Sequence, residues 1–246
     1  MKQTTISFGA SVRGPLHKHE GTANEDSWLR AHGSFGSLVV VCDGMGSRPK
    51  SKLGAEAACA ATREAVTRWA KVDDAPLTYL IQLIEVLWLL RIHPFSPEDA
   101  ATTCLFALAL NKGKWIVGGI GDGLALVKTG HDSIIEVIGP RDTGFGNETQ
   151  GLGTTSGIKA WRLTQLPPSD SARFAVLATD GVADDLLPEK LDAFCLWLLE
   201  SFLTLKPIAR WRQLAKELRA WPTPKHLDDK TLAVMSSPAL VLEEMV

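Results

Sequence analysis

The chain has 246 residues, of which 45% are hydrophobic and 22% charged, and its formal net charge is −2. This composition is typical of a soluble globular protein, and one domain over residues 1–246 can bury a substantial core. The absence of a basic excess argues against a nucleic-acid partner. The most apolar windows are too short to cross a bilayer, and the four cysteines are widely spaced. We therefore predict a cytoplasmic protein with reduced thiols and no membrane partner.

Strand patterns dominate the first part of the chain. Residues 4–12, 27–32 and 37–42 show β-type apolar patterns, and a glycine-containing turn at 33–36 indicates that the last two strands form a hairpin. The polar residues 15–26 are predicted to form a loop.

Helical periodicity follows over residues 51–71 and 76–92. Four short apolar segments then suggest a meander of antiparallel strands. They cover residues 101–110, 115–120, 124–128 and 134–138. Residues 139–157 contain six glycines, and we predict a long loop there, because loops of this length in compact domains are often functional.

The last third of the chain adds strands and a second helix pair. Strands are predicted over 159–165, 173–178 and 230–235, and helices over 188–205 and 207–220, each opened by a proline. Strands, two helices, strands, two helices and a closing strand predict an α+β fold of antiparallel sheets covered by helix pairs.

Acidic residues recur at the edges of the predicted strands. The positions are Glu25-Asp26, Asp43, Asp122, Asp180 and Asp228-Asp229. If these strands are neighbours, the carboxylates converge and repel one another, and cations would offset the repulsion. Oxygen ligands suit Mg²⁺ or Mn²⁺. A single Asp-Gly after a strand is usually a plain turn, but the whole set suggests a two-metal hydrolase.

The motifs around these carboxylates occur in a specific order. They are Asn24-Glu25-Asp26, Val41-Cys42-Asp43-Gly44-Met45-Gly46, Gly121-Asp122-Gly123, Ala178-Thr179-Asp180-Gly181 and Asp228-Asp229-Lys230-Thr231. From about residue 7 to residue 236 this order resembles the metal-dependent protein phosphatases of type 2C, in particular a bacterial branch. The resemblance implies a four-layer α-β-β-α fold, a β-sandwich of two antiparallel sheets flanked by pairs of antiparallel helices.

The resemblance also implies a ligand set for two Mn²⁺ or Mg²⁺ ions. In chain order it is Glu25, Asp26, Asp43, the Gly44 carbonyl, Asp122, Asp180 and Asp228. Asp43 would bridge the two ions, Asp26 would act mainly through metal-bound water, and Asp122 would support a third, weaker ion. Asp228 is implied rather than Asp229, because the family's Asp stands three residues before the Thr of that strand.

The implied activity is hydrolysis of phosphoserine or phosphothreonine by a water that the two metals share. The expected partner is a phosphorylated protein that a Ser/Thr kinase phosphorylates in opposition to this chain, and we expect a monomer. Two other functions stay open: a phosphoprotein-binding regulatory module with weak turnover, and a hydrolase of small phosphorylated metabolites. By position, residues 139–157 resemble the variable flap beside the active site, which suggests a role in substrate selection.

Two positions depart from the family pattern. Gly21 stands where many members place an Arg that grips the phosphate. The nearby cations His17, Lys18 and His19 are candidates to replace it, with His17 as a catalytic and substrate-binding residue and Lys18 as a substrate-binding one. A histidine in a loop is as often plain surface. Met45 stands where some members have a His, and we expect it to pack beside the site.

Overall fold

The computed structural model describes residues 5–130, 133–139, 150–222 and 227–237. The strands in these ranges are β1 (Ile6–Val12), β2 (Asp26–Gly33), β3 (Gly36–Asp43), β4 (Cys104–Leu110), β5 (Trp115–Ile120), β6 (Leu124–Thr129), β7 (Ser133–Ile138), β8 (Arg162–Leu166), β9 (Arg173–Ala178) and β10 (Lys230–Ser236). The α-helices are α1 (Pro15–Glu20), α2 (Ser51–Trp69), α3 (Leu77–Ile92), α4 (Asp180–Ala183), α5 (Leu191–Phe202) and α6 (Pro207–Arg219).

The strands form two five-stranded antiparallel sheets. The first sheet has the order β1-β10-β9-β6-β7, and the second has the order β2-β3-β4-β5-β8. Helices α5 and α6 pack on the first sheet, and α2 and α3 pack on the second. The predicted α+β sandwich with helix layers on both sides is therefore confirmed.

Strand β3 shows how the sequence specifies these layers. Val39 and Val41 point between the two sheets, whereas Val40 and Cys42 point toward α2 and α3. A strand buried on both faces has to be apolar at every position, which explains the unbroken apolar run before Asp43. Each buried valine contributes about 1.5 kcal/mol or more of hydrophobic stabilisation.

The prediction of a loop over residues 15–26 is wrong in its first half. Residues Pro15–Glu20 form helix α1, which opens with the proline and ends at Gly21 with a φ of 73°. Proline at the first turn fixes a helical φ, and glycine adopts the left-handed φ that ends many helices. The polar composition of this segment concealed a helix that is only six residues long.

The predicted meander is wrong at one crossing, because β5 and β6 lie in different sheets. Gly121 and Gly123, between them, have φ values of 111° and 100°. Glycine alone adopts such values readily, so the Gly-Asp-Gly turn lets the chain pass from one sheet to the other.

None of the helices in the described ranges is long and apolar enough to cross a membrane.

Candidate metal centre

Four strand ends from both sheets bring the predicted carboxylates to one edge of the sandwich. Asp26 and Asp43 lie directly opposite each other in the β2–β3 pair. Asp180 follows β9, and Asp228 lies just before β10, the strand that pairs with β9. The hydroxyl of Thr179 donates to Asp26 Oδ2 at 2.9 Å and so connects the two sheets at this edge.

The backbone of Asp43 is fixed on both sides. Its N–H donates to the Thr103 hydroxyl at 2.9 Å. Its carbonyl accepts from the Thr103 N–H at 2.8 Å and from the Thr102 hydroxyl at 2.8 Å. Position 44 must be glycine, since a Cβ there would lie 2.6 Å from the carbonyl carbon of Ser51. No hydrogen bond from the described residues reaches the Gly44 carbonyl, so it is available as a ligand.

The electrostatics of the cluster favour cations. Burial and the charges of Asp26, Asp180 and Asp228 raise the pKa of Asp43 well above its ordinary value, although part of its side chain stays exposed. Burial and the charges of Asp229 and Asp180 likewise raise the pKa of Asp26. Carboxylates that repel one another in this way are stabilised by a bound cation.

Glu25 provides a further sign of a metal ligand. Its Oε2 atom is buried and has no hydrogen-bond partner among the described residues. Burial raises the pKa of this side chain, against a hydrogen bond from Ser51 that lowers it. A buried carboxylate oxygen without a partner is costly, and a divalent cation would satisfy it. The oxygen donor set therefore fits Mg²⁺ or Mn²⁺.

Asp122 lies near the same edge of the sandwich. It occupies the turn between β5 and β6, and the neighbouring Leu124 pairs with Ala178 at the end of β9. It is not among the main charges that raise the pKa values of Asp26 and Asp43. A role for Asp122 at a third ion stays a prediction.

One trio among the described residues places three possible ligand atoms within 4.8 Å of one another: His17, Asp228 and Asp229. The other predicted ligands form no such trio in the described chain. Within the trio, His17 Nδ1 lies 2.8 Å from Asp229 Oδ2. A hydrogen-bonded pair explains this proximity without a metal, so we do not assign an ion to the trio.

His17 does not belong to the protein surface. It is only 8% exposed, and its pair with Asp229 is buried. Burial lowers the pKa of His17, but the nearby carboxylates of Asp229, Asp228 and Glu25 outweigh this and raise the pKa above its ordinary value. Lys18 and His19, by contrast, are exposed.

The burial and the contacts of two motif residues in this region cannot be predicted from the sequence. Asp229 is buried and fully bonded, and the motif places it directly beside Asp228 without revealing its different role. Lys230 is also buried, with its Nζ donating to the Asp228 carbonyl at 3.0 Å. Burial lowers the pKa of Lys230, against the opposing charges of Asp185, Asp228 and Asp229.

The chain's relationships agree with this geometry. The model of the family described as protein phosphatase 2C matches residues 13–221, which is well over half of the chain. The fold and the match together define a metal-dependent protein phosphatase, which uses Mn²⁺ or Mg²⁺. The chain belongs to the protein phosphatase 2C family. No curated protein sequence matches the chain.

Solved structures with a similar fold include a bacterial serine phosphatase, with 17% identity, a TM-score of 0.67, and coverage of 94% of this chain and 97% of that one. The serine/threonine phosphatase Stp1 from Staphylococcus aureus has 17% identity and a TM-score of 0.66, covering 96% and 97% of the two chains. The catalytic domain of the phosphatase PstP, in complex with two manganese ions, has 17% identity and a TM-score of 0.60, covering 95% and 98%. At these identities the similarity establishes the fold.

Proposed function

We propose that this chain hydrolyses phosphoserine and phosphothreonine in a protein substrate at two Mn²⁺ or Mg²⁺ ions. The ions would be held by Glu25, Asp26, Asp43, the Gly44 carbonyl, Asp180 and Asp228, with Asp122 at a third. The observation that carries the proposal is the convergence of Asp26, Asp43, Asp180 and Asp228 at one edge of the sandwich, where Asp26 and Asp43 lie directly opposite each other. When bound, the two ions would supply a water of lowered pKa and would offset the negative charge on the phosphoryl oxygens.

The chain's own residues hold this arrangement in place. The β2–β3 register keeps Asp26 and Asp43 side by side, so their oxygens can share a cation without any movement of the backbone. Asp43, as the proposed bridge, is catalytic because it sets where both ions lie with respect to the phosphoryl group.

The missing arginine has a structural reason. Gly21 is exposed and ends α1 with a left-handed φ of 73°, and a Cβ at this position would have no atom within 4 Å. An arginine there would have space but would be strained, because L-residues with a side chain rarely adopt this φ. We propose that His17 contacts the phosphoryl group through Nε2, since its Nδ1 is bonded to Asp229, and that the exposed Lys18 contributes charge beside it.

The end of the predicted flap is tied to the metal centre. Residues 140–149 of the predicted loop 139–157 lie outside the described residues. At its far end, Leu152 forms a bridge to Thr102, which also bridges to Gly44. A Cβ on Gly151 would lie 2.6 Å from the Met45 methyl carbon, so Met45 packs against the flap end. This connection supports a role of the loop in substrate selection.

Shortening the loop tests that role. Removing part of residues 140–149 should change the preference among phosphopeptides more than the turnover of a small aryl phosphate. The selectivity constants kcat/KM for both substrate types measure this. Equal losses on both would argue against substrate selection by the loop.

The proposed function is tested by Mn²⁺-dependent phosphate release from a phosphothreonine peptide. The wild type should turn over, and Asp180→Ala should lose activity because one proposed ligand is gone. Asp170→Ala is the matched control, since Asp170 is exposed and precedes the other end of β9. A wild type without Mn²⁺-dependent release, or an active Asp180→Ala variant, would overturn the proposal. Faster release from small phosphorylated metabolites would favour a metabolite hydrolase.

Gly21 also favours one second candidate, a phosphoprotein-binding regulatory module with weak turnover, because the usual phosphate-gripping side chain is absent. Binding of the phosphopeptide without release of phosphate would support this candidate. Rapid turnover in the same assay would eliminate it.

A further inference from the structure

The carboxylate of Asp229 lies at the centre of a hydrogen-bond network beside the proposed metal centre. Its Oδ1 accepts from the Gly14 N–H at 2.7 Å. Its Oδ2 accepts from the Glu25 N–H at 2.6 Å and contacts His17 Nδ1 at 2.8 Å. Asp229 is only 2% exposed. All three partners lie in the segment that joins β1 to β2, and each is more than 200 positions away along the chain.

Both terminal atoms of the Asp229 side chain have to accept a hydrogen bond. The backbone N–H groups of Gly14 and Glu25 point at different oxygens of Asp229. An asparagine carries one acceptor oxygen and one NH₂ donor. In either orientation its NH₂ group would face a backbone N–H, and one buried donor would lose its partner. Only a carboxylate satisfies both groups.

The network joins two parts of the site that no strand pairing connects. Glu25 directly precedes β2 in the second sheet, whereas Asp228 lies before β10 in the first sheet, and β2 and β10 are not paired. Asp229 follows Asp228 in the chain and binds the backbone N–H of Glu25. The Asp229 side chain therefore links the segment that carries Asp228 to the backbone of Glu25.

The backbone around Asp229 supports the same connection. The Leu16 N–H donates to the Leu227 carbonyl at 3.0 Å. A Cβ on Gly14 would lie 2.2 Å from the Asp228 carbonyl oxygen, so the two backbones are in close contact. The start of α1 is thus docked on the segment that carries Asp228.

We propose that Asp229, assisted by His17, is a positioning residue that holds Glu25 at the correct distance from Asp228 for both to bind metal. Three donors already bind the two oxygens of Asp229, and we do not count it among the proposed metal ligands. The inference rests on the proposed metal centre. Residues that orient metal ligands typically change metal affinity by about 10- to 100-fold when they are replaced.

The test measures direct Mn²⁺ binding in the absence of substrate. The electron paramagnetic resonance signal of the free ion reports how much Mn²⁺ stays unbound. Asp229→Asn should bind Mn²⁺ about 10- to 100-fold more weakly than the wild type. His17→Ala should weaken binding by a smaller factor, of roughly 3-fold or more, because Asp229 keeps its two backbone donors. Asp170→Asn is the matched control and should bind as the wild type does. Circular dichroism shows whether each variant is folded.

The outcomes separate this inference from the proposed function. A wild type that binds no Mn²⁺ contradicts the metal centre itself. A wild type that binds, together with a folded Asp229→Asn that binds equally well, overturns only the positioning role. If Asp229→Asn does not fold, His17→Ala decides alone, and unchanged Mn²⁺ affinity in that variant overturns the inference. A merely structural role would lower thermal stability and leave Mn²⁺ affinity unchanged.

Discussion

Two pairs of proposed ligands in this site are held in different ways. Asp26 and Asp43 lie opposite each other in adjacent strands, so the backbone ladder fixes their separation. Glu25 and Asp228 belong to segments of different sheets, and the side chain of Asp229 connects them. A ladder-held pair keeps its position when one side chain is changed, whereas a pair connected through a side chain is expected to shift when that side chain is replaced.

The largest loss of activity is expected when a carboxylate of the ladder-held pair is replaced. The loss arises because a negative charge is removed, while the side chain keeps its position. Asp43→Asn should reduce Mn²⁺-dependent phosphatase activity by more than about 100-fold, the upper end for residues that only orient a ligand. The same change removes a charge from a repelling cluster, so the melting temperature of the metal-free protein should rise. Phosphate release and thermal unfolding measure both effects. A loss of activity together with a lower melting temperature would mean that Asp43 holds the fold.

Metal removal should expose the repulsion within the ladder-held pair. The pKa values of Asp26 and Asp43 are raised in the folded chain, whereas in the unfolded chain they are near 4. Their contribution to stability is therefore fully present below about pH 4 and is lost as the pH rises through the raised pKa values of the folded chain.

Urea unfolding at several pH values, with chelator or with Mn²⁺, measures this contribution. With chelator, the free energy of unfolding should fall from about pH 4 upward. Mn²⁺ should reduce the fall, since bound cations favour the ionised carboxylates. Identical pH profiles with and without Mn²⁺ would show that the two carboxylates are not the metal ligands.

The segment between β1 and β2, which contains Glu25, should lose stability when the glycine that ends α1 is replaced. Gly21→Arg should cost about 1–2 kcal/mol of stability, because it forces a left-handed φ on a residue with a side chain. It should not increase phosphatase activity, although it restores the family's arginine. Urea unfolding and the KM for a phosphopeptide are the measurements, with Gly130→Arg, at a glycine of φ 63° that also has open space, as control. A lower KM in Gly21→Arg alone would mean that the arginine can still reach the phosphate.

The smallest loss of activity is expected at Thr103, because its side chain and its backbone both hydrogen-bond to the backbone of Asp43. Thr103→Val removes the hydroxyl that accepts from the Asp43 N–H, but the Thr103 N–H still donates to the Asp43 carbonyl. We expect a loss of about 1 kcal/mol in the free energy of unfolding and an activity within about 3-fold of the wild type. Thr102→Val, which removes the other hydroxyl contact to the Asp43 carbonyl, is a matched comparison. A loss as large as that of Asp229→Asn would remove the distinction between the two pairs.

The sequence predicts what local patterns determine. The unbroken apolar run of β3 and the acidic residue after it predict a buried strand that ends in Asp43, and the structure has both. The family motifs predict the two-sheet sandwich, which the structure confirms. The roles of the individual ligands stay predictions until metal binding is measured.

What the sequence cannot predict depends on contacts between distant residues. The polar residues around His17 indicate a loop, and nothing near it in the chain indicates a buried partner 212 positions away. The motif favours Asp228 over Asp229 by its spacing. Spacing does not show that the Asp229 carboxylate is hydrogen-bonded to three distant partners. The crossing between sheets at Gly121 and Gly123 depends on φ values that an apolar pattern does not encode.

The strand-end carboxylates are proposed to form one site for two divalent ions, and everything else about the function depends on this site. The decisive experiment is an equilibrium titration of the metal-free wild type with Mn²⁺, in which electron paramagnetic resonance follows the free ion. We expect about two tightly bound ions per chain and the loss of at least one in Asp43→Asn. Binding of no ion, or the same number of ions in Asp43→Asn as in the wild type, would refute the two-ion site.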